Sequence, residues 1–131
     1  MNTPLHIIDL DFARLELYSN YIISTINEGV LFDTAELNKF YEIFDTYYAD
    51  RPFGYISNRV YDYTVNPTCL IYALKLPRLA GVAVCCSDQS TYNTANYERT
   101  FYRRPFDTFY TLEECVVWIE DKVKQEILDK E

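Results

Sequence analysis

Side chains suited to molecular recognition are concentrated in one segment, which begins at the last residue of a short apolar run at residues 53–57. They are the serine, asparagine, arginine, tyrosine and threonine side chains of Ser57, Asn58, Arg59, Tyr61, Tyr63 and Thr64. Tyrosine provides a large contact area with few rotatable bonds, and a guanidinium binds a planar anion through two parallel hydrogen bonds. The segment is therefore the candidate binding loop. An equally good interpretation is that the tyrosines are ordinary residues at the edge of the core. The sequence leaves both interpretations open.

A second group of basic side chains, Arg103 and Arg104, lies near the end of a predicted helix. If the loop after Ser57 packs close to that end of the helix, these arginines and Arg59 would form an anion clamp for a carboxylate or a phosphate. Arginines in the last turn of a helix also commonly complement its dipole. An anion contact is therefore one of two interpretations of these residues.

The chain carries no set of residues typical of catalysis or metal binding. It has no Gly-rich phosphate loop, nucleophile elbow or metal-ligand spacing, and His6 is the single histidine. Cys86 precedes a predicted helix N-terminus, a position that can lower the pKa of a thiol, but a buried packing cysteine is the simpler interpretation. We therefore expect no catalytic residue, no metal and no cofactor.

The composition indicates a folded chain with one core. Hydrophobic residues make up 49% of the 131 positions and aromatic residues 17%, which is too apolar for a disordered chain. We expect a single domain over residues 1–131. The formal charge of −8 disfavours nonspecific binding to nucleic acid or to anionic lipid.

The N-terminal residues do not resemble a signal peptide, and no stretch of the sequence predicts a membrane span. Cytoplasmic location is the default expectation. In that compartment the four cysteines are expected to be unbridged, and their apolar neighbours predict that they are buried.

Hydrophobic periodicity and capping signals predict alternating strands and helices. Strands are predicted at residues 5–10, 14–18, 21–26, 53–57, 81–86 and 106–110, and helices at 34–48, from Asn66 to just before Pro77, from Asp88 to about residue 102, and at 112–127. Ser19 and Asn20 are suited to a two-residue hairpin. The run at 81–86 lacks alternation, as expected for a strand covered on both faces. These features predict an α/β fold with a mixed central sheet, an N-terminal antiparallel hairpin and helices on both faces.

Several motifs along the chain resemble those of a known superfamily. They are the string from Pro52 through Asn58-Arg59 to Asn66-Pro67, the run Phe101-Tyr102-Arg103-Arg104-Pro105-Phe106, and the helix start from Leu112 to Trp118. Over nearly the whole chain they resemble small uncharacterised bacterial proteins of the STAS/SEC14-like, SpoIIAA-like superfamily. The resemblance implies a central sheet flanked by helices. Its relatives include lipid-carrying SEC14 domains and anti-sigma-factor antagonists, in which a phosphorylated Ser or Thr switches partner binding. By position, Ser57 and Thr64 are the nearest candidates for that residue.

The sequence therefore favours a nonenzymatic cytoplasmic regulatory or protein-interaction module. It would present the loop after the strand at residues 54–57 to a protein partner or to a second copy of the chain. The alternative is a small-ligand or lipid-binding domain, in which the same loop and the arginine clamp lie over an apolar pocket. A preformed pocket of roughly 300–1,000 Å³ would favour this alternative.

Overall fold

The computed structural model describes residues 3–66, 68–69, 76–100 and 105–130 of the chain. Within these residues the elements are, in chain order, β1 (His6–Asp9), β2 (Ala13–Leu17), β3 (Tyr21–Ile26), β4 (Leu31–Phe32), α1 (Thr34–Tyr47), β5 (Phe53–Arg59), β6 (Thr64–Val65), β7 (Leu79–Cys86), α2 (Gln89–Arg99), β8 (Phe106–Phe109) and α3 (Leu112–Lys130). The two short strands β4 and β6 have no counterpart in the sequence prediction, because two residues are too few to show a period.

Six of the strands form one mixed sheet in the order β1-β2-β3-β5-β7-β8. The first three strands pair antiparallel, and β3, β5, β7 and β8 pair parallel. The remaining strands, β4 and β6, form a separate parallel pair. The parallel half follows from the long connections between its strands, two of which contain α1 and α2, since a parallel crossover needs a long connection. The predicted α/β fold with an antiparallel N-terminal hairpin is confirmed.

The β2–β3 turn is the two-residue connection that the sequence predicts. The backbone N–H of Tyr18 donates to the carbonyl oxygen of Tyr21 at 2.8 Å, which closes the turn around Ser19 and Asn20. The hydroxyl of buried Tyr48, at the end of α1, donates to the same turn, with oxygen–oxygen distances of 2.5 and 3.0 Å to the carbonyls of Tyr18 and Tyr21. This contact fixes the hairpin to the first helix.

The three helices α1, α2 and α3 of the described residues begin at the predicted capping residues. The backbone N–H of Asp33 donates to the Glu36 carboxylate at 2.9 Å, which is half of a capping box. The N–H of Thr91 donates to Asp88 at 2.8 Å, and Thr111 Oγ accepts a backbone N–H at 3.2 Å in the first turn of α3. The side-chain oxygens satisfy backbone donors that have no partner within the helix.

The helices cover both faces of the sheet, as predicted. Helix α1 and helix α2 lie on one face, where Phe40, Phe44 and Ala95 join the core. Helix α3 lies on the other face, where Cys115 and Ile119 pack on the strands. Strand β7 is buried along all of its eight residues, which explains its continuous apolar sequence.

Helix α3 approaches strand β5 closely at Gly54. A Cβ atom at this position would lie only 2.2 Å from Cγ1 of Ile119, so the contact requires a residue without a side chain. This close approach sets the position of α3 over the sheet.

Several other expectations concern local features. The four cysteines are unbridged and buried, as predicted. Asn66 Oδ1 accepts the backbone N–H of Thr68 at 3.0 Å, consistent with its predicted capping role, and Thr68 and Cys69 are helical. Most of that predicted helix lies outside the described residues.

Within the part of the chain that the structure describes, no helix is both long and apolar enough to cross a membrane.

Candidate functional site

Strand β5 is longer than the sequence predicted. It continues past Ser57 through Asn58 and Arg59, which pair in parallel register with Cys85 and Cys86 of β7. The expectation that Asn58 and Arg59 lie in the loop is therefore wrong. The strand extends because β7 offers a paired neighbour along its whole length, and because the fold provides partners for the side chains of Ser57 and Arg59.

The partner of Arg59 is Glu98, which lies in the last turns of α2. The guanidinium makes a bidentate ion pair with the carboxylate, with nitrogen–oxygen distances of 2.7 and 2.5 Å. The two side chains are only 10% and 9% exposed. Burial by itself lowers the pKa of Arg59, but the neighbouring Tyr63 hydroxyl and Glu98 carboxylate raise it by more. The pair is therefore a charged, nearly buried link between the sheet and α2.

Ser57 and Tyr63 complete a hydrogen-bonded network with this pair. The Nε–H of Arg59 donates to Ser57 Oγ at 3.2 Å, and Ser57 Oγ lies 3.2 Å from the hydroxyl oxygen of Tyr63. The guanidinium carbon also lies 5.7 Å from the centre of the Tyr63 ring, within the range of a cation–π interaction. We call Ser57, Arg59, Tyr63 and Glu98 the Arg59 network. Because Ser57 is only 4% exposed, its hydroxyl is not accessible to a kinase in this fold.

The other predicted loop residues lie outside this network. Asn58 is half-buried, and the alternation of a strand directs its side chain to the sheet face opposite that of Arg59. Tyr61 lies in the loop between β5 and β6 and is 49% exposed. Thr64 is exposed and lies in β6, where it pairs with Leu31.

The loop at residues 60–63 is held by backbone contacts with the preceding part of the chain. The N–H of Gly29 donates to the carbonyl oxygen of Asp62 at 2.8 Å. The N–H of Asp62 donates to the Glu28 carboxylate at 2.6 Å. Gly29 has a φ of 78°, a conformation that glycine adopts without steric strain. These contacts position the loop beside α2.

A cleft of about 280 Å³ separates this loop from α2. We call it the outer cleft. Its lining combines hydroxyl, aromatic and charged side chains, and it consists of Arg59, Tyr61, Asp62, Tyr63, Thr64, Val65, Ser90, Thr91, Thr94, Tyr97 and Glu98. The predicted residues Arg59, Tyr61, Tyr63 and Thr64 therefore meet at one surface, although Arg59 is already engaged by Glu98.

A smaller cavity of about 70 Å³ lies beneath the cleft, between the sheet and α1. We call it the inner cavity. Its lining is mainly apolar. Four residues, Arg59, Tyr63, Val65 and Glu98, line both spaces. The hydroxyl of Tyr41 also lines the cavity, and it is buried without a hydrogen-bonding partner among the described residues. Burial raises the pKa of Tyr41 to about 12, so this hydroxyl is a neutral donor at ordinary pH.

Cys86 lies beside the Arg59 network, and its surroundings do not favour a reactive thiol. Its side chain is almost fully buried, and burial raises its pKa to about 11. Because the thiolate is the reactive form, the thiol of Cys86 is a packing group at neutral pH.

Sequence reasoning missed Glu98 and Tyr97 as site residues. Glu98 follows the inward-facing Ala95 by three positions, so helical spacing places both on one face of α2. An acidic residue on the inward face of a helix needs a cationic partner. This requirement is the sequence signal that could have identified Glu98 as a site residue. Arg103 and Arg104, the predicted anion contacts, lie outside the described residues.

Among the described residues, no group of three or more His, Cys, Asp or Glu side chains is placed to hold a metal ion. Comparison with protein-family models, with curated proteins and with solved structures finds no match to this chain. The resemblance to the STAS/SEC14-like superfamily therefore stays a prediction.

Proposed function

We propose that this chain is a nonenzymatic protein-interaction module that binds a partner at the outer cleft. The observation that carries the proposal is the pair of tyrosines at this cleft. Tyr61, from the loop, and Tyr97, from α2, line the same space and are 49% and 62% exposed. Tyrosine side chains that offer much area and few rotatable bonds are frequent contact residues at interfaces.

The base of the cleft supports a recognition role because internal contacts already hold its side chains. Two hydrogen bonds from Arg59 to Glu98 join β5 to α2, and two more link Ser57 to Arg59 and to Tyr63 of the loop. The β4–β6 pairing holds the other side of the loop. A surface that is ordered before binding loses less conformational entropy when the partner arrives. The cleft is therefore suited to selective contact with another macromolecule.

The geometry favours this function over the lipid-binding alternative. The inner cavity, at about 70 Å³, is well below the roughly 300–1,000 Å³ of typical ligand pockets. Both terminal nitrogens of Arg59 already contact the Glu98 carboxylate, so an anionic ligand would have to displace a nearly buried ion pair. The regulatory role follows from the proposed resemblance, and both this role and the cytoplasmic setting that was expected from the sequence are part of this proposal.

Site-specific photocrosslinking tests the function. A benzophenone amino acid replaces Tyr61 in one version of the chain and Val117 in another, since Val117 is exposed on α3, outside the residues that line the cleft. After irradiation in the cells that produce the chain, we expect a defined protein adduct from position 61 and not from position 117. The adduct should weaken when Tyr97→Ala is added.

The adducts from positions 61 and 117 are compared in chains that keep the Arg59 network intact. Arg59 and Tyr63 are left unchanged, because their loss would perturb the fold. Equal adducts from both positions, or no protein adduct from position 61 in a folded chain, would show that the outer cleft is not a partner surface.

A further inference from the structure

The outer cleft carries an excess of negative charge. Arg59 is the single cation among its described lining residues, and Glu98 neutralises it through a bidentate pair. The carboxylate of Asp62 remains at the cleft without an ion pair or hydrogen bond to a described residue. The Glu28 carboxylate lies 2.6 Å from the backbone nitrogen of Asp62 and adds a second negative charge next to the loop.

The aromatic lining of the cleft also favours a positively charged ligand. The faces of tyrosine rings are electron-rich and attract cations at distances up to about 6 Å. Tyr63 already makes such a contact with Arg59 inside the site. The exposed rings of Tyr61 and Tyr97 lie on the two elements that border the cleft, the loop and α2.

The net charge of the whole chain also favours a positively charged partner. Its formal charge of −8 attracts basic partners at long range and repels acidic ones. The cleft, at about 280 Å³, is close to the lower end of the usual size of ligand pockets. Such a space accommodates one long side chain of a partner rather than a folded element.

We propose that the outer cleft receives a lysine or arginine side chain from a basic segment of a partner protein. The cation would lie between the rings of Tyr61 and Tyr97, with the Asp62 carboxylate as its counter-charge. This inference rests on the proposed function and names the chemistry of the partner. It distinguishes a basic partner from an acidic or phosphorylated one, for which the cleft offers no uncommitted cation among its described residues.

Titration of the isotope-labelled full chain with small probes, followed by NMR, tests the inference. The probes are N-acetyl-lysine methylamide and N-acetyl-arginine methylamide, with N-acetyl-norleucine methylamide as the neutral analogue and inorganic phosphate as the anion. We expect the two cationic probes to shift the backbone amides of residues 60–65 and 90–98. Raising the salt from about 20 mM to about 300 mM NaCl should weaken this binding, because screening shortens the reach of the charges.

Single substitutions connect the binding to the named residues. Asp62→Asn and Tyr61→Leu each remove an exposed contact, so the chain should remain folded while the dissociation constant of the lysine probe rises about two- to fivefold. Asp50→Asn is the matched control, because it makes the same change of net charge at an exposed residue outside the cleft lining. The control should leave the dissociation constant unchanged.

The possible results separate this inference from the proposed function. Equal shifts with the neutral analogue, preferential binding of phosphate, or an equal effect of Asp50→Asn would overturn the basic-partner inference. Absence of binding by both cationic probes would also overturn it. In each of these cases a crosslinked protein at position 61 would still support the cleft as a partner surface, whereas loss of that crosslink is the result that removes the proposed function itself.

Discussion

The Arg59–Glu98 ion pair allows a quantitative prediction of stability. Glu98→Ala removes the carboxylate and leaves the guanidinium in a site where its side chain is only 10% exposed. Breaking a buried pair by removing one partner typically destabilises a protein by about 3–5 kcal/mol, because a charge is left without compensation. We expect the free energy of unfolding of Glu98→Ala to fall by this amount.

The expected change corresponds to a large shift in melting temperature. For a chain of 131 residues, an unfolding entropy of about 2.1 cal/mol/K per residue gives about 0.28 kcal/mol/K, or about 3.6 °C for each kcal/mol. Glu98→Ala should therefore melt about 11–18 °C below the parent protein. The measurements are urea unfolding at neutral pH and thermal unfolding followed by circular dichroism.

Two further variants show whether the cause is the buried charge. The double change Arg59→Leu with Glu98→Leu removes both charges, and it should recover most of the stability that Glu98→Ala loses. Asp45→Ala is the matched control, because it breaks an ion pair with Arg78 of 2.9 Å whose carboxylate is largely exposed. That pair should contribute about 0–1 kcal/mol. Equal destabilisation by Glu98→Ala and Asp45→Ala would refute the assignment of the loss to a buried, uncompensated charge.

Three further predictions concern the contacts that hold the fold. Tyr48→Phe removes a buried hydroxyl that donates to two hairpin carbonyls. Urea unfolding should show that the free energy of unfolding falls by about 1–3 kcal/mol, and an unchanged value would contradict these hydrogen bonds. Gly54→Ala places a Cβ against Ile119 and should also destabilise by about 1–3 kcal/mol, whereas adding Ile119→Ala should give a double variant less destabilised than the sum of the two. The pKa of Asp33 is lowered by the backbone N–H of Thr34, so its contribution to stability is present above the unfolded pKa of about 3.9 and is lost as the pH falls through the lowered folded value. Asp33→Asn keeps a capping acceptor and should flatten the acid side of the melting temperature against pH, and an unchanged acid slope would argue against this role.

Much of the architecture follows from local features of the sequence. The starts of the three described helices were predicted at Asp33, Asp88 and Thr111, because a capping side chain acts on backbone groups within about three residues. The buried strand β7 was predicted because its continuous apolar run can be satisfied only between two covered faces. The order of these elements then restricts the sheet to a mixed arrangement with parallel crossovers.

The candidate site depended on contacts between distant parts of the chain. The Arg59 and Glu98 side chains are 39 positions apart, and no local pattern states that one would neutralise the other. That ion pair and the pairing with β7 keep Arg59 in a strand, although the sequence around it predicts a loop. The sequence by itself determined which residues form the elements and which segment carries recognition side chains. Only the tertiary structure decided that Ser57 and Arg59 are internal and that Tyr61 and Tyr97 meet at one cleft, because such burial and charge pairing arise when α2 packs against the sheet.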